Sequence, residues 1–193
     1  MRFDRARFVP QLLYAPNQLT LLRMVFLPFI VINLIDEKYG WALGLFVLAG
    51  LSDGLDGLLA RTLHQQTRLG QYLDPVADKL LMSTMFLVLS VLHQVPWKFT
   101  VVVFSRDVSI LGASAVLYAT TNLRDFSPSV FGKANTTAQV AAVFFVLLDL
   151  VHKAGWIEWS REIALWATFA LTIISAMHYV LLVGQRLRRS PAP

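Results

Sequence analysis

The stretch Leu51-Ser52-Asp53-Gly54-Leu55-Asp56-Gly57-Leu58-Leu59-Ala60-Arg61 closes an apolar run that begins near residue 39, so it puts two carboxylates at the end of a helix long enough to span a bilayer. The spacing i, i+3, i+4, i+7, i+8 sets Asp53, Asp56, Gly57, Ala60 and Arg61 on one helical stripe. Downstream, Asp74-Pro75-Val76-Ala77-Asp78 reads as the opening of the next helix, with Asp74 and Asp78 one turn apart. Pro75 suits a first-turn position, where its missing N–H is not needed. The segment Thr62 to Leu73 then works as a turn that returns the chain, and four carboxylates converge beside Arg61. Counting back from Arg61 at 1.5 Å per residue places Asp53 about 12 Å along its helix, a depth at which ionisable side chains are costly and usually functional.

Four clustered acids repel one another, and some stay protonated unless a cation joins them. The donor set offers only oxygen, which favours Mg²⁺ or Mn²⁺ over zinc. Gly54, Gly57 and Ala60 leave the helix surface flat beside the acids, so a bulky ligand can approach the backbone there. Simpler readings exist for single features. An acid at a helix start can be a dipole partner, which alone accounts for Asp74. Small residues on a membrane helix are often packing surface. Neither explains Asp53, Asp56 and Asp78 together.

Composition agrees with a lipid environment. Of 193 residues, 56% are hydrophobic and 15% charged, with a mean hydropathy of +0.57; a soluble domain carries roughly a quarter charged residues. The absence of cysteine excludes disulfides, zinc–thiolate sites and Cys nucleophiles. A net charge of +5 does not mark a nucleic-acid binder, because Lys and Arg flank apolar segments instead of forming one basic face. Apolar stretches fall near residues 18–35, 39–61, 75–95, 97–120, 135–152 and 161–184, separated by Asp36-Glu37-Lys38, Val95-Pro96, Ser127-Pro128 and Lys153-Ala154-Gly155. The expectation is an all-α integral membrane protein of six transmembrane helices. Trp97, Trp156 and Trp159 fall at span ends as an interfacial belt would.

Orientation follows from basic residues. With the N-terminus inside, the inner face carries Arg2, Arg5, Arg7, Arg61, Arg68, Lys79, Arg124, Lys133, Arg186, Arg188 and Arg189, while Lys38, Lys98, Lys153 and Arg161 lie outside. That asymmetry predicts both termini in the cytoplasm. No small-residue cleavage site follows the first apolar run, so the first helix is expected to stay uncleaved. The chain divides into a juxtamembrane segment at 1–16, a six-helix domain at 17–185 and a basic tail at 186–193, with no internal repeat. The tail arginines are expected to meet anionic headgroups. Asp149 and His152 read as interfacial, and His178-Tyr179 as a packed pair.

The order Asp53, Asp56-Gly57, Ala60-Arg61, Gly70, Asp74, Asp78 resembles the signature of the CDP-alcohol phosphatidyltransferases, all of whose fixed positions it satisfies. Length and six-helix layout extend the resemblance over essentially the whole chain. It implies that Asp53, Asp56 and Asp74 bind two metal ions, Mg²⁺ or Mn²⁺, that grip the diphosphate of a CDP-linked lipid. Asp78 borders the metals and serves as general base. Thr20, Asp56, Gly57, Ala60, Arg61 and Gly70 line the CDP site. The donor is then CDP-diacylglycerol, the leaving group CMP, the setting phospholipid biosynthesis at a bacterial inner membrane with the site facing the cytoplasm, and the assembly a homodimer.

The acceptor is read elsewhere. Asn17-Gln18-Leu19-Thr20-Leu21-Leu22-Arg23 resembles a segment of bacterial phosphatidylglycerophosphate synthases, shared with the cardiolipin synthases that use CDP-diacylglycerol. Ser105-Arg106-Asp107 puts an arginine inside an apolar span, where it needs an anion or a paired acid. Asp107 is expected to point elsewhere on the helix, which offers Arg106, with Lys133 and Arg124, to a substrate phosphate; a structural pair for Arg106 is the alternative. Gly132-Lys133-Ala134-Asn135 has Asn135 where glycerophosphate-using relatives typically show a second lysine, and this form is closer to the cardiolipin synthases. Glycerol-3-phosphate is placed slightly ahead of phosphatidylglycerol, with inositol phosphate and serine behind. A divalent-cation transporter would spread its acids along several helices to both faces, whereas these gather at one end of two; a scaffold leaves them unexplained.

Overall fold

The computed structural model describes residues 15–62, 68–120 and 130–189, with side chains at 21–52, 77–110, 112 and 131–179. These residues form helices α1 (Ala15–Ile35), α2 (Tyr39–Thr62), α3 (Arg68–Val91), α4 (Trp97–Thr120), α5 (Val130–Val151) and α6 (Gly155–Arg189). The all-α expectation holds for them. The chain divides into two compact units, Met1–Val88 and Leu89–Pro193.

Several helices begin earlier than the hydropathy reading places them. α3 begins at Arg68, seven residues before the expected Asp74–Pro75 opening, and α5 begins at Val130 while α6 runs from Gly155 to Arg189. Hydropathy marks only the apolar part of a helix, and these helices continue into polar flanks whose backbone bonds need no lipid. Pro75 therefore lies within α3, not in its first turn. Two helices, Phe131–Val151 and Gly155–Tyr179, are long and apolar enough to cross a membrane among the described residues; Leu21–Ile35 and Tyr39–Ser52 are shorter apolar stretches. Every helix exposes large apolar side chains, among them Phe29, Leu48, Leu80, Val101, Val151 and Ile163. A water-soluble monomer rarely shows apolar surface on that scale.

Two of the helix ends share one device. At the end of α1, Lys38 N–H donates to Asn33 O at 2.8 Å and Glu37 N–H to Leu34 O at 3.2 Å, with Glu37 at φ 59°. At the end of α3, Gln94 N–H donates to Leu89 O at 2.8 Å and His93 N–H to Ser90 O at 3.1 Å, with His93 at φ 58°. Both are Schellman caps in which a side chain other than glycine's accepts the left-handed conformation. The carbonyls that would otherwise go unpaired are met within the turn.

In the first unit α1 packs on α2, with Ile30, Leu34, Ala42, Phe46 and Ala49 buried. Ala42 and Ala49, seven residues apart on α2, are small enough to let the backbones approach. In the second unit α6 packs on both α5 and α4. Its core mixes apolar side chains (Val103, Val143, Leu147, Leu165) with buried Asn135, Gln139, Thr168, Thr172 and Ser175.

Candidate active site

The end of α2 carries Asp53, Asp56, Gly57, Ala60 and Arg61, and the first half of α3 carries Gly70, Asp74 and Asp78. The connection between them, residues 63–67, has five residues and can reach at most roughly 20 Å, which bounds the separation of the two helix ends. Counted inward from it, Asp56 stands six residues from Thr62 and Asp74 six from Arg68, each about 9 Å deep. Asp53 stands nine residues in and Asp78 ten, about 14 Å deep. The four acids thus occupy two matched levels. Gly70, Asp74 and Asp78 follow at i, i+4 and i+8 and share one face of α3.

Starting α3 at Arg68 also removes the simpler account of Asp74. A carboxylate in the second turn lies beyond the reach of the helix-start dipole, which fades within the first turn. Asp78 is half-buried beside the buried stripe of Ala77, Leu81 and Met85. The side chains of Thr20, Asp53, Asp56, Arg61 and Asp74 lie outside those described, and Thr20 sits on α1 five residues from where that helix begins to be described. The donor set, carboxylate oxygen throughout, fits a hard divalent cation and offers nothing to a soft one.

The residues expected to meet the acceptor divide three ways. Arg124 lies outside the described residues, and Lys133 is exposed near the start of α5. Arg106 is turned inward on α4, where its guanidinium donates to Asp107 Oδ1 at 2.7 Å and to Ser175 Oγ at 3.0 Å. The expectation that Asp107 points elsewhere is therefore corrected, and the structural pair held as the alternative for Arg106 is the one observed. Neighbours on a helix diverge, but the arginine side chain is long enough to swing back across. Both members of the pair are largely buried, at 11% and 12% side-chain exposure.

Sequence reasoning did not foresee the partners of two polar residues of the second unit. Thr172 donates its hydroxyl to Asn135 Oδ1 at 2.8 Å, joining α6 to α5 with both residues fully buried. At the far end of α5, Asp149 is buried within the protein; it accepts from Lys153 at 3.0 Å and Arg161 at 3.3 Å. Arg161 also donates to the Gln94 carbonyl at 2.9 Å, tying the α3–α4 turn to α6. The i, i+4 spacing of Asp149 and Lys153 was the available signal. His152 is exposed, and His178 packs its ring 5.0 Å from that of Phe131, in keeping with a packed role.

Residues 13–174 match the family model described as CDP-alcohol phosphatidyltransferase. A Mycobacterium tuberculosis protein provisionally named a cardiolipin synthase is 31% identical over 168 residues, covering 81% of this chain and 80% of its own. The Bacillus subtilis CDP-diacylglycerol–glycerol-3-phosphate 3-phosphatidyltransferase is 31% identical over 180 residues, covering 85% of this chain and 92% of its own. The human cardiolipin synthase (CMP-forming) is 34% identical over 147 residues, 66% of this chain and 48% of its own length.

Proposed function

The chain belongs to the CDP-alcohol phosphatidyltransferase family, and from that premise we propose that it moves a phosphatidyl group from CDP-diacylglycerol to a primary hydroxyl of a glycerol-bearing acceptor, releasing CMP. The observation that carries this reading is the pair of matched carboxylate levels on α2 and α3, Asp56 with Asp74 and Asp53 with Asp78. Asp53, Asp56 and Asp74, bordered by Asp78, are the residues that would hold two divalent cations. Mg²⁺ or Mn²⁺ held there would supply positive charge to the donor's diphosphate and to departing CMP. Asp78 takes the proton of the acceptor hydroxyl. The hydroxyl oxygen bonds to the phosphatidyl phosphorus as the bond to the diphosphate bridging oxygen breaks, and that oxygen leaves with CMP. Thr20, Gly57, Ala60, Arg61 and Gly70 belong to the cytidine nucleotide site, the small residues giving the ligand access to the backbone.

The six helices cross the bilayer with both termini in the cytoplasm, so that the acids open to the side that supplies water-soluble substrate. The charge asymmetry of the connecting segments supports this topology, and bacterial relatives support an inner-membrane location. A homodimer formed through transmembrane helices suits the apolar side chains exposed on every helix.

Glycerol-3-phosphate is the acceptor that the sequence reading placed first and that the name of the Bacillus subtilis relative carries. Two observations favour phosphatidylglycerol as a second reading. A phosphate monoester is a dianion and calls for clustered cations, but Arg106 is already matched by Asp107 at 2.7 Å. Position 135 holds a buried neutral amide. The phosphodiester of phosphatidylglycerol carries a single charge and asks less of the pocket.

The test is CMP release by purified protein in detergent with CDP-diacylglycerol and Mg²⁺ or Mn²⁺, each acceptor offered separately. Release that requires one acceptor assigns it. Release with neither overturns both readings.

A further inference from the structure

Arg23 is 1% exposed and is the largest fully buried side chain among the described residues. A guanidinium taken out of water stays protonated and needs a negative partner. Its own helix supplies none: α1 contains no acid, and α2 has none before Asp53. Among the described residues α1 packs on α2 and on no other helix, so the countercharge is to be sought along α2. Asp36, in the turn that joins the two, lies about 20 Å from Arg23 along α1 and is exposed beside Lys38 at 3.0 Å.

The short turn Asp36-Glu37-Lys38 makes α1 and α2 an antiparallel pair and fixes which levels face each other. Arg23 stands twelve residues before Ile35, about 18 Å from the turn. On α2 the same depth is reached at Leu51 and Ser52; Asp53 follows at about 21 Å and Asp56 at about 26 Å. Side chains on a helix lean toward its start, which on α1 is the end away from the turn. The long arginine side chain therefore carries its charge from the Ser52 level toward that of Asp53. The faces agree as the levels do. Arg23, Ile30 and Leu34 are buried at i, i+7 and i+11 on α1, and Ala42, Phe46, Ala49 and Ser52 at i, i+4, i+7 and i+10 on α2. Asp53 and Asp56 prolong that second stripe at i+11 and i+14. Ser52 cannot balance the charge: it is neutral, and its hydroxyl donates to the Leu48 carbonyl at 2.8 Å.

We propose that Arg23 is the countercharge of Asp53 and its positioning residue, holding the inner carboxylate of α2 at the α1 face with an oxygen left for a cation. The positioning role rests on Asp53 being a metal ligand, as proposed above. A carboxylate already held by a fixed cation has less freedom to lose when the metal arrives, and removing such an outer partner costs roughly 10–100-fold in metal affinity. Bare Coulomb repulsion has the opposite sign. A guanidinium that only stood beside a dication would weaken its binding, and its removal would tighten the metal.

Arg23→Met keeps a long apolar side chain and removes the charge, and Asp53→Asn is isosteric. In excess chelator and detergent, each single variant is expected to melt below the wild type, because each strands one charge. The double variant strands none and should melt above both singles. Arg23→Met combined with Asp56→Asn should show no such recovery. Where Arg23→Met alone does not fold, recovery of folded protein in the Arg23–Asp53 double variant reads the same coupling, and no recovery counts against it. The second measurement titrates Mn²⁺ against the thermal midpoint and needs no turnover, since a ligand of the folded state raises the midpoint. The concentration giving half of the rise should increase roughly tenfold or more in Arg23→Met. It should increase less in Arg23→Lys, which keeps the charge and loses the planar fork. Losses that simply add in the Arg23–Asp53 double variant, or recovery with Asp56→Asn instead, overturn the pairing. Unchanged or tighter Mn²⁺ binding in Arg23→Met overturns the positioning role. A wild type that gains nothing from Mn²⁺ or Mg²⁺ overturns the metal reading of Asp53, while the coupling measured in chelator still decides the pair.

Discussion

Arg106 and Asp107, consecutive residues on α4, close an ion pair of 2.7 Å inside the second unit, and the same guanidinium reaches Ser175 on α6 at 3.0 Å. A charge that the sequence offers to a substrate is thus already balanced within the protein. Removing one partner of such a pair strands the other. Asp107→Asn is expected to destabilise the protein by about 3–5 kcal/mol, read as a lower midpoint of thermal unfolding in detergent. Arg106→Met in combination with Asp107→Leu should recover most of that loss. If the double variant is no more stable than Asp107→Asn, the pair is not the source of the effect.

Asp78→Asn tests the general base. The half-buried carboxylate flanks a packed stripe of α3, and the amide is isosteric, so the fold should survive. CMP release should fall by about 10²–10⁴-fold, the usual contribution of a positioned base, while KM for CDP-diacylglycerol changes little. Activity within a few-fold of wild type would remove Asp78 from this role.

Chelation should abolish CMP release and leave the helical circular dichroism signal unchanged. Adding back Mg²⁺ or Mn²⁺ should restore it, because an all-carboxylate donor set favours hard cations. Undiminished turnover after exhaustive chelation would contradict the assignment of Asp53, Asp56 and Asp74 as ligands.

Asp149 and Arg161 lie at the end of the second unit opposite Asn135, fourteen residues or about 21 Å along α5. Arg161→Ala is therefore expected to lower the unfolding midpoint, having released Asp149 and the Gln94 carbonyl, with both KM values unchanged. A selective change in KM for the acceptor would show that this cluster communicates with the site.

The absence of native cysteine makes topology directly measurable. Lys38→Cys, in the α1–α2 turn, should react with a membrane-impermeant maleimide on intact spheroplasts, and Arg186→Cys only after permeabilisation. The opposite pattern would invert the proposed orientation.

The local order of Asp53, Asp56, Gly57, Ala60, Arg61, Gly70, Asp74 and Asp78 was enough to read the family, because that signature depends on spacing along two consecutive helices. Helical content was legible for the same reason, since apolar runs of this length have few other ways to satisfy their backbone in lipid. The start of α3 was not legible. Hydropathy reports where a helix is apolar, not where its hydrogen bonding begins, so Asp74 looked like a dipole partner until the helix proved to open at Arg68. The partners of Arg106, Asn135 and Asp149 lie 69, 37 and 12 residues away in Ser175, Thr172 and Arg161. No local pattern encodes such contacts. They exist because α6 packs on both α4 and α5, and buried polar groups brought together there must satisfy one another, so only the tertiary structure decided these partners.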